Sequence, residues 1–266
     1  MMKTIPIYQV DAFADAVFQG NPAAICIMDD HLPDKTLQSI AAENNLAETA
    51  FIWNHEDRFL IRWFTPTIEV DLCGHATLAS AYTLFHIHAG LGRKVMFDSR
   101  SGPLYVTKNE DELLVLDFPR DQYVKAACPP FLEAALGTSI MDCIKGKSDY
   151  LVRIDNEITL KNIKPDFSII KTLNSRGLIV TAPGDKVDFV SRCFFPQSGI
   201  DEDPVTGSAH TTLIPYWSDL LSKKDFIARQ ISSRSGTLYC TLSDHRVLIG
   251  GYARLYMEGK IYIPVS

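Results

Sequence analysis

The stretch 62–77, RWFTPTIEVDLCGHAT, returns in altered form at 192–211 as RCFFPQSGIDEDPVTGSAHT, so the chain contains itself twice. Arg62-x-Phe64-x-Pro66 recurs at 192, 194 and 196, a shift of 130, and Gly74-His75-Ala76 answers to Gly207-Ser208-Ala209 at 133. Pro33-Asp34 and Thr49-Ala50 recur as Pro165-Asp166 and Thr181-Ala182 at 132, and Ser99-Arg100-Ser101-Gly102 recurs from Ser233 at 134. A period this long implies two duplicated domains, because solenoid repeats run at roughly 20 to 50 residues. The boundary is expected within DFPRDQYVKAACPPF, giving domains 1–118 and 119–266. Whether the closing GKIYIPVS strand returns to the first domain stays open.

A chain of 266 residues, 46% hydrophobic, can bury two cores of ordinary size. With 26 Lys plus Arg against 32 Asp plus Glu, its net charge of −6 offers no footprint for nucleic acid or an anionic membrane. Asp11 interrupts the N-terminal apolar run before a secretory core forms, and no run approaches the ~18 residues of a membrane span. The expectation is a cytoplasmic protein. Six cysteines without a CxxC pair argue against a disulfide framework or a zinc site, so no metal is expected.

Read in order, strands are expected at 3–10 and 23–28, then a helix from Asp34 to about Asn44. LAETAFIW at 46–53 is apolar on both alternating faces, which predicts a strand covered on both sides. Further strands are expected at 59–64, 95–98, 103–107 and 112–118. Between them ATLASAYTLFHIH is apolar nearly all round and predicts a buried helix from Ala76 to about His88. The second copy predicts strands at 149–154, 177–182 and 187–195, and helices at 166–174 and 209–221. It closes with strands at 237–243, 245–252 and 259–264. Pro215 must kink the last helix or mark its start.

Glu48 interrupts one apolar face of LAETAFIW, and its counterpart at the 132 shift is Val180. Burial without a cationic partner would raise such a carboxyl toward the range useful for proton transfer, whereas a frayed strand end would leave it solvated. Gly74-His75 and Gly207-Ser208 each stand at the mouth of an apolar helix, where free N–H groups and the positive dipole end suit a carboxylate. Two such mouths related by a pseudo-twofold could face one cleft. His75 and Ser208 as plain helix caps are the alternative. Cys73 reads as a small buried hydrophobe or a nucleophile at the helix mouth, and Thr206 opposite it rules out a pair of facing thiols.

QVDAF with GNPAA, LAETAF, FTPTIEVDLCGHATLASA, DEDPVTGSAH and the final SRSG resemble the phenazine-biosynthesis isomerase (PhzF-like) family, whose fold is similar to that of diaminopimelate epimerase. The resemblance spans essentially the whole chain. It implies an α+β fold of two similar domains, each a mixed sheet or barrel curled around a central helix, and commonly a homodimer. It also implies cofactor-independent proton transfer between carbons of a small carboxylate substrate. Glu48 matches the family's general acid and base, and His75, Asp203 and Ser208 match its helpers. Gly74, Gly207 and Cys73 are the expected substrate-binding neighbours. The epimerase relatives use one Cys per domain, and only Cys73 stands at such a position here.

Overall fold

The computed structural model describes residues 2–55 and 58–264. The chain forms two compact units, one taking in the residues up to Asp117 and those from Gly250 on, the other Phe118–Ile249. No helix among the described residues is long and apolar enough to cross a membrane.

In the first unit Asn21–Met28 runs antiparallel to Met2–Ala12 and parallel to Glu48–His55, which pairs antiparallel with Arg58–Phe64. The closing strand, Ala253–Pro264, lies antiparallel along Met2–Ala12. Arg58–Phe64 then takes Lys94–Ser99 as a parallel neighbour, and Gly102–Lys108 follows antiparallel. The helix Gly74–Ile87 packs on Met2–Ala12, Asn21–Met28 and Glu48–His55 and is buried from Gly74 through Ala81. Its Ala, Ser and Gly residues let the strands approach closely. The amphipathic helix Asp34–Asn44 covers the opposite face, its Leu37, Ile40 and Ala41 meeting Phe51, Trp53 and Phe64. Glu48–His55 is thereby covered on both sides, as its sequence predicts: Thr49 through Trp53 are all buried.

The second unit repeats this order internally. Asp149–Arg153 runs parallel to Gly177–Pro183, which pairs antiparallel with Phe189–Phe195, itself parallel to Asp225–Gln230. The helix His210–Leu221 takes the central place, with His210 and Thr212 to Trp217 buried. It continues through Pro215. The Thr211 carbonyl, which would have received the missing Pro215 N–H, accepts instead from the Asp121 backbone N–H at 3.2 Å. Asp121 also accepts from the Thr212 hydroxyl at 2.7 Å.

The repeated Arg-x-Phe has a physical explanation. Two residues apart on a strand share a face, so Arg62 lies over the Phe64 ring and Arg192 over Phe194, each at 5.1 Å. A glutamate beyond the strand clamps each guanidinium with two bonds: Glu69 on Arg62 at 2.7 and 2.8 Å, Glu202 on Arg192 at 2.8 Å twice. The shift grows from 130 at the arginines to 133 at the glutamates because the second copy has three more residues after the matched proline, where the 3-10 turn Pro196–Ser198 forms.

These anchors correct one counterpart. Arg62 pairs with Phe51 and Arg192 with Val180, so Val180 answers to Phe51, and Glu48, three residues earlier, answers to Gly177. The Thr-Ala match at 132 is a coincidence of sequence. Val180 packs on the outer face with Val152, Leu160 and Phe194, whereas the Glu48 side chain turns to the central helix.

Other differences are local. The helix expected at 166–174 is the single turn Phe167–Ile170, capped by Asp166, which accepts from the Ser168 and Ile169 N–H groups. The short helices Phe131–Leu136 and Glu157–Asn162 carry too little periodicity to announce themselves. Asp225–Gln230 alternates exposed and buried, but its last core position is the polar Gln230, which hides the pattern.

Candidate active site

In the first unit the ends of three segments converge on one imidazole. Glu48 opens its strand, paired with Ala23, and its side chain is 13% exposed. Asn21 opens the neighbouring strand and is fully buried. Cys73 caps the central helix in an extended conformation, which leaves His75 in the first turn. His75 Nε2 faces Glu48 Oε2 at 3.1 Å, while Nδ1 meets Asn21 Nδ2 at 3.2 Å and Cys73 Sγ at 3.5 Å. Glu48 therefore lies beside an imidazole, neither alone in an apolar space nor at a solvated strand end.

Burial opposes charge on His75, but Cys73 and Glu48 outweigh it and hold the imidazole well above its ordinary range. Burial, reinforced by Glu48, pushes the Cys73 thiol up. The ligand atoms of Glu48, Cys73 and His75 lie within 4.8 Å of one another. That carboxylate, thiol and imidazole set is of the kind that holds zinc.

Both helix mouths are closed in the same way. Thr77 Oγ1 donates to the Cys73 carbonyl at 2.6 Å, and His210 Nδ1, in the matching position, donates to the Thr206 carbonyl at 2.9 Å. Gly74 and Gly207 are buried at these mouths and Ser208 is half-buried.

Around the second mouth Asp203 is 8% exposed and accepts the Thr206 hydroxyl. Thr206, standing where the first unit has Cys73, is thus a hydrogen-bond donor to a carboxylate. Gln230 bridges the turn: its Nε2 donates to the Asp203 carbonyl at 2.7 Å and its Oε1 accepts the Thr206 N–H at 2.9 Å. Ser208 Oγ accepts from Arg176 Nη2 at 3.3 Å, and Arg176 is clamped on Asp149, with Nε to Oδ1 at 2.9 Å and Nη2 to Oδ2.

Sequence reasoning brought Glu48, Cys73 and His75 to one place, and Asp203, Gly207 and Ser208 to one loop. It passed over Asn21, Asp149, Arg176 and Gln230. Asn21 reads as a turn residue in Gly20-Asn21-Pro22, and only Asp149, a carboxylate opening an apolar strand, leaves a visible signal.

The family model described as phenazine biosynthesis-like protein matches residues 10–259. The chain belongs to the PhzF family. An uncharacterized isomerase of Pseudomonas aeruginosa is 48% identical over 97% of this chain and 99% of its own length. The crystal structure of a PhzF-family protein from Enterococcus faecalis superposes with a TM-score of 0.95 at 48% identity, covering 98% of this chain and all of that one. A predicted epimerase from Pseudomonas aeruginosa shares the fold at a TM-score of 0.77 and 19% identity. The chain is accordingly a PhzF-family isomerase with the α+β, epimerase-like fold expected from its motifs.

Proposed function

We propose that this PhzF-family chain moves a proton between carbons of a small carboxylate substrate without a cofactor, Glu48 acting as both base and acid. The Glu48–His75 contact at 3.1 Å carries the reading. It sets a proton acceptor against a proton donor in a site where Glu48 is 13% and His75 6% exposed, and bulk water competes little for the proton. With Oε2 turned to His75, Oε1 is the oxygen left to meet a substrate C–H. His75 orients the carboxylate and stabilises its charge. Once Glu48 has taken the proton, the same oxygen returns it to a second carbon, so the proton balance closes within the pair. Asp203, with His75, is assigned to orient the substrate or relay protons, and Ser208 matches a further helper of the family motif. The N–H groups at the two helix mouths, Gly74 in the first unit and Gly207 and Ser208 in the second, each suit a carboxylate.

A thiol mechanism through Cys73 is the weaker reading, because burial and the Glu48 charge both disfavour a thiolate. A protein that binds small acids without chemistry is the other alternative. The test is deuterium incorporation in heavy water with dihydro-3-hydroxyanthranilate and a panel of unsaturated or hydroxylated carboxylates. Wild type should incorporate label into at least one of them, and Glu48→Gln should fold normally and incorporate none. Comparable turnover by Glu48→Gln would sink the assignment. Binding of a panel acid without incorporation by wild type would favour the binding protein.

A further inference from the structure

We propose that Arg176 and Ser208 form a carboxylate-binding pair in the second unit, with Asp149 as the residue that positions the guanidinium. The proposal rests on the isomerase reading only in naming that carboxylate as the substrate's.

The position of this pair follows from the internal repeat. In the first unit Glu48 opens its strand opposite Ala23 on the parallel neighbour. In the second, Gly177 opens the equivalent strand opposite Asp149. Where one copy carries the carboxylate that meets His75 at the helix mouth, the other carries the Asp149–Arg176 pair against Ser208, the residue that answers to His75. The two copies have put different polar groups at one level of the same architecture.

Three contacts fix the guanidinium. Asp149, 3% exposed, sets its plane with two bonds. The Phe195 ring lies under it at 5.1 Å, and Ser208 Oγ takes a second Nη2 hydrogen. Gly177 is required beside it, because a Cβ there would stand 2.2 Å from the Phe195 ring. A side chain this constrained has already lost the rotamer freedom that binding would otherwise cost.

What is left over points to a ligand. Nη1 has no hydrogen-bond partner among the described residues, and the side chain remains 41% exposed. Ser208 accepts from Arg176, so its own hydroxyl hydrogen is left to donate. Two donors, an Nη1–H held in direction by the clamped guanidinium and an Oγ–H free to rotate, suit the two oxygens of a carboxylate. Burial opposes the Arg176 charge, but Asp149, with Cys193 and Asp203 nearby, outweighs it, so the cation persists. Asp203 is the one further carboxylate named among those neighbours, and it is already held by the Thr206 hydroxyl.

The experiment uses the full-length protein with benzoate and its neutral isostere benzamide as probes. Binding is followed by NMR at the Ser208 amide and the Arg176 Nε–H. Benzoate should shift both signals and bind more tightly than benzamide. Arg176→Met alone would strand a buried carboxylate, so the decisive variant is the double substitution Asp149→Asn with Arg176→Met, which removes both charges. It should lose benzoate affinity by about tenfold to a hundredfold and bind the two probes alike. Arg176→Lys, which keeps the charge but not the fork, should fall in between. Absence of benzoate binding to wild type up to its solubility limit, or a benzoate preference that survives in the double variant, overturns the proposal. The readout is equilibrium binding, so it stands or falls separately from deuterium exchange by Glu48→Gln.

Discussion

His210 provides an acid-sensitive lock on the second helix mouth, and its contribution can be worked out from its surroundings. The imidazole is fully buried, donates from Nδ1 to the Thr206 carbonyl, and leaves Nε2 without a hydrogen-bond partner among the described residues, beside the Phe189 ring. A second proton would place a charge in that apolar space, so burial lowers its pKa to about 4. In the unfolded chain the same group titrates at about 6.5. As pH falls the unfolded state takes up the proton first, so stability is full above the unfolded pKa and is lost progressively toward the folded one. Between about pH 7 and about pH 4.5 the linkage amounts to about 2 kcal/mol.

The perturbation is His210→Thr, because Thr77 makes the equivalent bond to the Cys73 carbonyl in the first unit. The substitution lowers stability at both pH values by leaving a cavity, but it removes the titrating group. Urea unfolding of both proteins at the two pH values gives a double difference in which the carboxylates and the cavity cancel. Wild type should lose about 2 kcal/mol more than the variant on acidification. An equal loss in both would show that His210 is not held neutral and would refute the reasoning.

Three further outcomes follow from the geometry. Glu48→Gln should fall to background proton exchange while its urea midpoint stays near wild type, since strand and helix contacts remain. Gly20→Ala should lose about 2 to 4 kcal/mol in urea unfolding, because φ is +67° there and the new Cβ would stand 2.1 Å from the Ala12 carbonyl oxygen. Cys73→Ala should keep proton exchange within about threefold of wild type; a loss of about a hundredfold or more would make the thiol a reacting group.

Much of the fold was legible from local spacing. The buried helix at Gly74–Ile87 follows from an apolar run without a polar face, and the covered strand from two apolar faces. The Glu48, Cys73 and His75 cluster was legible only because two motifs of one family named its residues, LAETAF giving Glu48 and FTPTIEVDLCGHATLASA giving Cys73 and His75. Asn21 was not, since its partner lies 54 residues away and nothing local distinguishes it from a turn asparagine. Arg176 was missed for the same reason: Asp149 and Ser208 stand 27 and 32 residues from it in sequence.

The sequence by itself determined that there are two copies of one architecture, because Arg-x-Phe and the Gly turn before each helix act through neighbours a few residues apart. Tertiary structure alone decided which side chains meet. On a strand, a slip of one residue turns every side chain to the other face, so a match of letters at 132 paired Glu48 with Val180 until strand register assigned it to Gly177. That register is set by backbone bonds between strands distant in sequence, and it is what places a carboxylate against an imidazole in one unit and an arginine against a serine in the other.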